Sequence, residues 1–192
     1  MARPREFDID AAVESATRVF WAKGFEHSSL DDLCAATGLN RSSFYAAFGA
    51  KRDLYLRALA RYEEGSAARI AAALEGRPVR DGVKVFLDGL IDAIVAGPGR
   101  RGCFIGNCAA EMARLDRGAA ARVRRSLVRI EAAFRQALEG ARARGELPRQ
   151  ADPEALARFL TAGIQGLRLV GKANPDRAAL NDIAKTMLRC LN

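Results

Sequence analysis

The sequence of 192 residues predicts an all-α protein of about nine helices. Alanine, leucine, arginine and glutamate dominate, whereas β-branched residues are few and strand patterns are almost absent. Apolar residues recur at helical spacing, and Gly or Pro interrupts them where helices would end. We therefore expect a three-helix N-terminal part, a long connecting helix and a larger helical part after it.

The first helix is predicted from about Asp8 to Lys23. Its apolar positions share one stripe, which is the pattern of a helix with one buried face, and they are Ile9, Ala12, Val13, Ala16, Val19 and Phe20. Gly24 is expected to end it.

The segment from Leu30 to Phe48 predicts a helix, a tight turn and a second short helix. Ser28 and Ser29 are candidate N-caps for the first of the two, and carboxylates follow three residues on, at Asp31 and Asp32. This arrangement is typical of a capping box.

Gly38 permits a left-handed turn, and Asn40 is expected to cap the second short helix. Phe44 and Phe48, four residues apart, would anchor that helix from beneath. The outward face would then carry Arg41, Ser42, Ser43 and Tyr45. A helix of this size with a polar outer face fits a DNA major groove, while the alternative is an ordinary helical hairpin within an all-α core.

Six further helices are predicted after the turn. Their approximate bounds are Ala50–Glu75, Asp81–Val95, Cys103–Arg114, Arg117–Arg144, Pro153–Gly171 and Pro175–Leu191. Gly76 and Pro78 end the long fourth helix and mark the most plausible domain boundary. The expected division is residues 1–50, a connecting helix at 51–76, and residues 77–192.

Composition narrows the functional classes. Apolar residues make up 49% and charged residues 28%, and no apolar run approaches the roughly 18 to 20 residues of a membrane span. We expect a cytoplasmic protein without membrane contact, metal or cofactor, since its four cysteines are scattered and His27 is the only histidine. An enzyme is disfavoured because no nucleophile–base pair or phosphate-binding loop is visible.

The net charge of +8 does not by itself indicate DNA binding. Residues 1–76 hold 10 Lys and Arg against 11 Asp and Glu, whereas residues 77–192 hold 21 against 12. Binding would therefore depend on a few placed contacts and on dimerisation, not on a broad positive field.

The first 60 or so residues resemble the DNA-binding domain of the TetR family of bacterial transcriptional regulators. The resemblance rests on Ala16, Phe20, Gly24, Phe25, Leu33, Ala35, Gly38, Leu39, Ser43, Phe44, Tyr45, Phe48, Lys51 and Leu54. The rest of the chain resembles the family in helix number and length. The segment from Gly102 to Glu111 is also similar to a Gly-Cys…Ala-Glu signature in a subgroup of these regulators.

The resemblance implies a homodimer that places two recognition helices in successive major grooves of double-stranded operator DNA. By position it implies phosphate contacts from Ser28, Ser29, Ser43, Tyr45 and Lys51. Arg41 and Ser42 would lie nearest to base edges, and Arg41 could address guanine with two hydrogen bonds. Arg3 and Arg5 either reach the adjacent groove or make no contact. Ala46 and Ala47 stand where many relatives have longer side chains. Base recognition would therefore depend more on Arg41, on Tyr45 and on the shape of the DNA.

The resemblance also implies a C-terminal helical domain that binds an effector and dimerises through the last two helices. The eighth helix is apolar with small residues that allow close helix packing, and the ninth carries Leu180, Ile183, Met187, Leu188 and Leu191. An internal seam within one subunit is the alternative.

For the pocket of the unknown small-molecule effector, we expect the helix that begins near Cys103. Cys103, Asn107 and Glu111 follow one another at four-residue spacing, so thiol, amide and carboxylate share one face. Further candidates are Phe104, Cys108, Gln165 and Arg168, with Phe86, Leu90, Met112 and Phe134 as weaker ones. The alternative is that Asn107 and Glu111 only fix the packing of neighbouring helices.

The expected function is a DNA-binding repressor released from its operator by a small molecule. Cys103 and Cys108 raise the alternative of an oxidation or electrophile signal, since Arg100 and Arg101 lie just upstream, although buried packing is the common role of cysteine. A further alternative is a helical ligand-binding protein with weak or lost DNA recognition.

Overall fold

The computed structural model describes residues 8–192. Over this range the chain forms nine α-helices, and no strand is present among these residues. The helices are α1 (Ile9–Lys23), α2 (Leu30–Thr37), α3 (Arg41–Phe48), α4 (Lys51–Leu74), α5 (Val79–Val95), α6 (Phe104–Glu111), α7 (Arg117–Ala143), α8 (Pro153–Ala173) and α9 (Arg177–Arg189). The predicted all-α fold with its N-terminal helix-turn-helix is confirmed.

Two of the helix boundaries that differ from the prediction have identifiable reasons, and one predicted loop contains a further short helix. α5 begins at Val79, because the Glu146 carboxylate accepts the Val79 N–H at 2.8 Å and so caps the helix from another part of the chain. α6 ends at Glu111, three residues early, because the chain turns there toward Asp116, the N-cap of α7. The predicted loop before α6 contains a short 3-10 helix at Pro98–Arg101.

The apolar residues form two buried clusters. One cluster joins α5, α8 and α9 to the end of α4 and most of α7. The other joins α1, α2 and α3 to the first part of α4, to α6 and to the start of α7. α6 therefore shares its core with the helix-turn-helix.

In the described part of the chain, no helix combines the length and the apolar character that crossing a bilayer requires.

The contact between α4 and α5 leaves no room for a side chain at Gly82. A Cβ atom there would lie 2.9 Å from the Ala73 carbonyl oxygen and 2.9 Å from the Leu74 Cα, both in the backbone. At Gly89 of the same helix, a Cβ would meet nothing within 4 Å.

We expect Gly82→Ala to lower the free energy of unfolding by about 1–2 kcal/mol, because the backbones must separate. Gly89→Ala should raise it by about 0.5–1 kcal/mol, because alanine favours the helix without a clash. Urea denaturation followed by circular dichroism measures both. Equal effects of the two substitutions would contradict the close approach of α4 and α5.

Candidate nucleic-acid interface and ligand cavity

Local hydrogen bonds fix both helices of the helix-turn-helix. Ser29 Oγ accepts the Asp32 N–H, and Asp32 Oδ2 accepts the Ser29 N–H, each at 3.0 Å, so the capping box is complete. Gly38 has φ 71° and ψ 15°, the left-handed conformation that glycine adopts without strain. Asn40 Oδ1 then accepts the Ser43 N–H at 2.8 Å and starts α3. These bonds leave the two helices little freedom relative to the turn.

α3 has a buried face and an exposed face. Phe44 and Phe48 are buried, and their rings meet edge to face at 5.5 Å. Tyr45 is 54% exposed and packs edge to face with Phe44, with ring centres 5.8 Å apart. The other exposed residues of the helix are Arg41, Ser42, Ser43 and Ala46. Ala47 is half-buried against the core, so only Ala46 takes a position where a longer side chain would reach outward.

Arg41 is held at the start of α3 by Asp31 of α2. Its guanidinium donates from Nε at 3.1 Å and from Nη2 at 2.8 Å to Asp31 Oδ1. This carboxylate raises the pKa of Arg41, which remains a cation. Both side chains are largely exposed, so a phosphate or a guanine edge can replace Asp31 at little cost.

Two of the residues expected to contact phosphates have hydrogen-bond partners within the protein. Ser28 is completely buried, and its hydroxyl donates to the Gly24 carbonyl oxygen at 2.5 Å. Lys51 Nζ donates to the Phe25 and Ser28 carbonyl oxygens, at 2.9 and 3.1 Å, and lies 4.3 Å from the centre of the Phe25 ring. Both side chains therefore stabilise the loop before α2.

Ser29 is exposed and remains available for a phosphate contact, since its oxygen caps α2 while its hydroxyl hydrogen can still be donated.

The sequence pattern did not predict that Lys23, the last residue of α1, forms an ion pair with α2. Its Nζ lies 2.6 Å from Asp32 Oδ1 at the start of α2, and this bond, together with the Ser29 N–H, lowers the pKa of Asp32 to about 2. Arg3 and Arg5 lie outside the described residues.

A large cavity opens between α1, α4 and α5, with a volume of about 850 Å³. α1 contributes Trp21, α4 contributes Tyr62, and α5 contributes Phe86 and Leu90 to its walls. The cavity was not expected there, although one observation could have found it. Opposite its core stripe, α1 carries Glu14, Arg18 and Trp21 at spacings of four and three residues, a second face that combines charged and aromatic side chains.

Most of the residues expected to line the pocket lie elsewhere. Of that set, only Arg168 lines the cavity, together with the weaker candidates Phe86 and Leu90. Phe104, Met112 and Phe134 are buried core residues. Gln165 lies beside α6, where its Oε1 would be 3.1 Å from a Cβ at Gly106.

Asn107 and Glu111 form hydrogen bonds within the protein, as expected if they fix the packing of neighbouring helices. Asn107 Nδ2 donates to the Arg101 carbonyl oxygen at 2.9 Å, and its Oδ1 accepts from Lys172 at 3.3 Å. Glu111 accepts the N–H groups of Phe25 and Glu26, at 3.0 and 2.9 Å, in the loop between α1 and α2. The carboxylate thus connects α6 to the helix-turn-helix.

Cys103, at the N-cap of α6, and Cys108, within the helix, are packed against aromatic side chains. Cys103 is 5% exposed, and the Tyr62 hydroxyl donates toward its Sγ at 3.8 Å. Cys108 is fully buried beside Tyr55, and burial raises the pKa of its thiol. Burial limits access of a reagent to both sulfurs, and at Cys108 it also disfavours the reactive thiolate.

A second connection joins the start of α4 to the start of α7. Arg52 donates to both oxygens of Asp116, with Nη2 at 3.0 Å from Oδ1, and Asp116 also caps α7 through the Ala119 N–H at 2.8 Å. The Arg52 guanidinium, followed by the Ala119 N–H, lowers the pKa of Asp116 to about 2.

The fold and the exposed face of α3 define a helix-turn-helix protein of the kind that binds DNA, with a helical C-terminal part that bounds a ligand-sized cavity. Two family profiles match the sequence: "Bacterial regulatory proteins, tetR family" over residues 12–58 and "Tetracyclin repressor-like, C-terminal domain" over residues 80–187. The chain therefore belongs to the TetR family of bacterial transcriptional regulators.

Individual relatives extend over the full length. The HTH-type transcriptional repressor ComR of Escherichia coli strain K12 is 34% identical, over 97% of this chain and 90% of ComR. The regulator YezE of Bacillus subtilis strain 168 is 33% identical, over all of both chains. Among solved structures, a cysteine mutant of the regulator CifR complexed with 26-bp operator DNA is 30% identical over all of both chains, with a TM-score of 0.85.

The connection between Arg52 and Asp116 predicts a pH-dependent stability. Because the folded pKa of Asp116, about 2, lies below the ~3.9 of an unfolded Asp, its contribution is present above pH ~4 and is lost as the pH falls toward 2. Asp116→Asn keeps a good cap but removes the charge. We expect its free energy of unfolding to be below that of the wild type at pH 7, with the difference shrinking below pH 4 in urea titrations.

Asp116→Ala is the comparison, since it also removes the cap and should cost a further ~1 kcal/mol at every pH. A difference between wild type and Asp116→Asn that stays constant from pH 7 to pH 3 would contradict the depressed pKa of Asp116.

Proposed function

We propose that this protein is a transcriptional repressor that binds operator DNA as a homodimer and is released by a small organic effector. The observation that carries the proposal is the exposed polar face of α3, which two capped helices and the buried Phe44 and Phe48 present to solvent. The operator complex of CifR, a relative of the same fold, supports the DNA partner.

In the proposed complex, hydroxyl groups of Ser29, Ser43 and Tyr45 donate to phosphates and set the register of α3 in the major groove. Arg41 exchanges Asp31 for a base edge, and Ser42 lies beside it in the first turn of α3. Ser28 and Lys51 contribute indirectly, because they hold the loop that positions α2.

The proposed dimer interface is centred on α8. Its outer face exposes Phe159 at 42%, Leu169 at 70% and Val170 at 41%, with the small residues Ala162 and Gly166 between them. Apolar side chains around small residues allow a second helix to pack closely. α9 exposes mainly polar side chains, including Asp182, Lys185 and Arg189, so we assign it the rim of the interface.

The proposed release is a shift between two conformations of the dimer. Because α1 and α4 both line the cavity, an effector there would contact the same helices that support the helix-turn-helix. Movement of these helices would change the separation of the two recognition helices, which must match successive grooves of one duplex. We also propose that the chain belongs to the subgroup with the Gly-Cys…Ala-Glu signature, on the basis of Gly102, Cys103, Ala110 and Glu111.

Tyr45→Ala tests the assignment of α3. We expect affinity for operator duplexes, selected from genomic DNA, to fall about ten-fold or more, because a hydrogen bond is lost in each subunit. Fluorescence anisotropy measures the affinity. Leu115→Ala is the control, since Leu115 is 77% exposed in the loop between α6 and α7 and should leave binding unchanged.

Failure of the wild type to select any duplex would favour the alternative of a helical ligand-binding protein that has lost DNA recognition. Unchanged affinity of Tyr45→Ala, with helix content and oligomeric state intact, would contradict the placement of the recognition helix.

Phe159→Arg tests the dimer. We expect light scattering at micromolar concentration to show a dimer for the wild type and a monomer for the variant, because two buried arginines would face each other without partners. Val128→Arg provides the matched control, since Val128 is 64% exposed on α7 and lies outside the proposed interface. A wild-type monomer would rule out the proposed interface.

A further inference from the structure

Arg168 of α8 carries a half-buried positive charge at the wall of the cavity. Its Nη1 donates to the Tyr62 hydroxyl at 2.8 Å, whereas its buried Nε has no acceptor among the described residues. Across residues 8–192, no carboxylate oxygen lies within 4.0 Å of this guanidinium. Tyr62 cannot supply the missing charge, because burial raises the pKa of its phenol and keeps it neutral at physiological pH.

A partly buried cation without a counter-ion is costly, because water solvates the charge less well there and no anion compensates for the loss. An arginine guanidinium offers five donors in one plane, of which Tyr62 uses one. These donors match the two oxygens of a carboxylate or a sulfonate. No anionic group of the described residues therefore pairs with the Arg168 guanidinium.

The other charges of the cavity do not compensate for Arg168. Four arginines and two glutamates line it. Glu14 is already engaged by Arg61 at 2.6 Å and by Arg18 at 3.6 Å. Arg69 is a further cation on the same wall, with its guanidinium 5.8 Å from the centre of the Tyr62 ring. The cavity thus has a surplus of positive charge.

The remaining walls are mainly apolar and aromatic. Trp21 and Tyr62 meet edge to face at 5.0 Å, and the opposite wall on α5 presents Val85, Phe86 and Leu90. The volume of about 850 Å³ is that of a pocket for a drug-sized molecule. A molecule that fits both features has a flat apolar body and one acidic group.

We propose that the cavity binds an organic anion, an aromatic or otherwise apolar carboxylate or sulfonate, whose acidic group pairs with Arg168. The inference rests on the proposed function for its role as effector, but the binding site itself does not depend on DNA. The ligand would lie against α1, α4, α5 and α8 together.

The test compares two fluorescent probes that differ mainly in charge: 8-anilinonaphthalene-1-sulfonate and the uncharged N-phenyl-1-naphthylamine. We expect the wild type to bind the sulfonate at least ten-fold more tightly than the amine, in titrations of probe fluorescence. Arg168→Gln should weaken sulfonate binding about ten-fold and change amine binding less than two-fold. The single tryptophan, Trp21, lies in the cavity wall, and its emission should be quenched as either probe binds.

Three variants serve as controls. Arg158→Gln removes an exposed arginine of the same helix, which pairs with Glu131 at 3.3 Å outside the cavity, and should leave both affinities unchanged. Arg168→Lys keeps the charge and should recover part of the sulfonate affinity. Tyr62→Phe keeps the ring and the guanidinium, so sulfonate binding should persist.

Equal affinity of the two probes for the wild type would overturn the proposal, and this result does not depend on any variant folding. An equal loss of sulfonate binding in Arg158→Gln and Arg168→Gln would also overturn it, because a general charge effect would then explain the binding. Operator binding is measured separately on the same wild-type protein. Charge-selective binding at Arg168 without DNA binding supports the anion site and contradicts the proposed function. DNA binding with no preference for the sulfonate supports the proposed function and contradicts the anion site.

Discussion

The carboxylate of Glu111 makes the contact on which the arrangement of the N-terminal helices depends. It ends α6 and accepts two consecutive backbone N–H groups, from Phe25 and Glu26, in the loop that leads into α2. A Cβ at Gly24 would lie 2.9 Å from this carboxylate, so the loop approaches it as closely as a backbone without a side chain allows. Lys51 closes the loop from the opposite side. The orientation of the helix-turn-helix is therefore set by a residue of the C-terminal half of the sequence.

The two ends of α6 connect the cavity to that loop. Before its start, the Gly102 carbonyl oxygen accepts the Trp21 indole N–H at 3.2 Å, and Cys103 contacts the Tyr62 hydroxyl. Both aromatic residues line the cavity. At the other end Glu111 holds the loop, and eight residues of helix span about 12 Å. The Phe104 ring packs edge to face against Tyr55 and Tyr62, so α6 is a physical connection through which the proposed effector would act on the loop.

The sequence predicted the features that local interactions determine. Ser29, Asp32, Gly38 and Asn40 act on backbone groups within three to five residues, so their spacing alone identified the caps and the turn. The destination of Glu111 could not be predicted in the same way, because its partners are 85 and 86 residues away. Spacing placed Cys103, Asn107 and Glu111 on one face but did not determine what that face contacts.

Two adjacent serines also show that sequence spacing does not determine which groups a side chain contacts. Ser28 and Ser29 are both hydroxyl residues before a helix, yet one is buried against Gly24 and the other caps α2. The cavity was not predicted because α1, α4 and α5 each supply only part of its wall. It forms where the faces of these helices that point away from the core come together. Single-helix periodicity identifies the major apolar face of each helix, which here is the core.

α8 brings the proposed ligand site and the proposed dimer interface into one helix. Arg168 reaches inward to Tyr62, whereas the next two residues, Leu169 and Val170, are exposed on the outer face. Gly171 packs so closely on Ile94 of α5 that a Cβ would lie 2.8 Å from its side chain. α8 is therefore packed closely on α5 at this point, whereas α1 and α4 line other walls of the cavity. In the proposed mechanism, a ligand paired with Arg168 would act on α1 and α4, which share a core with the helix-turn-helix, so its effect would be directed toward DNA and away from the proposed dimer interface.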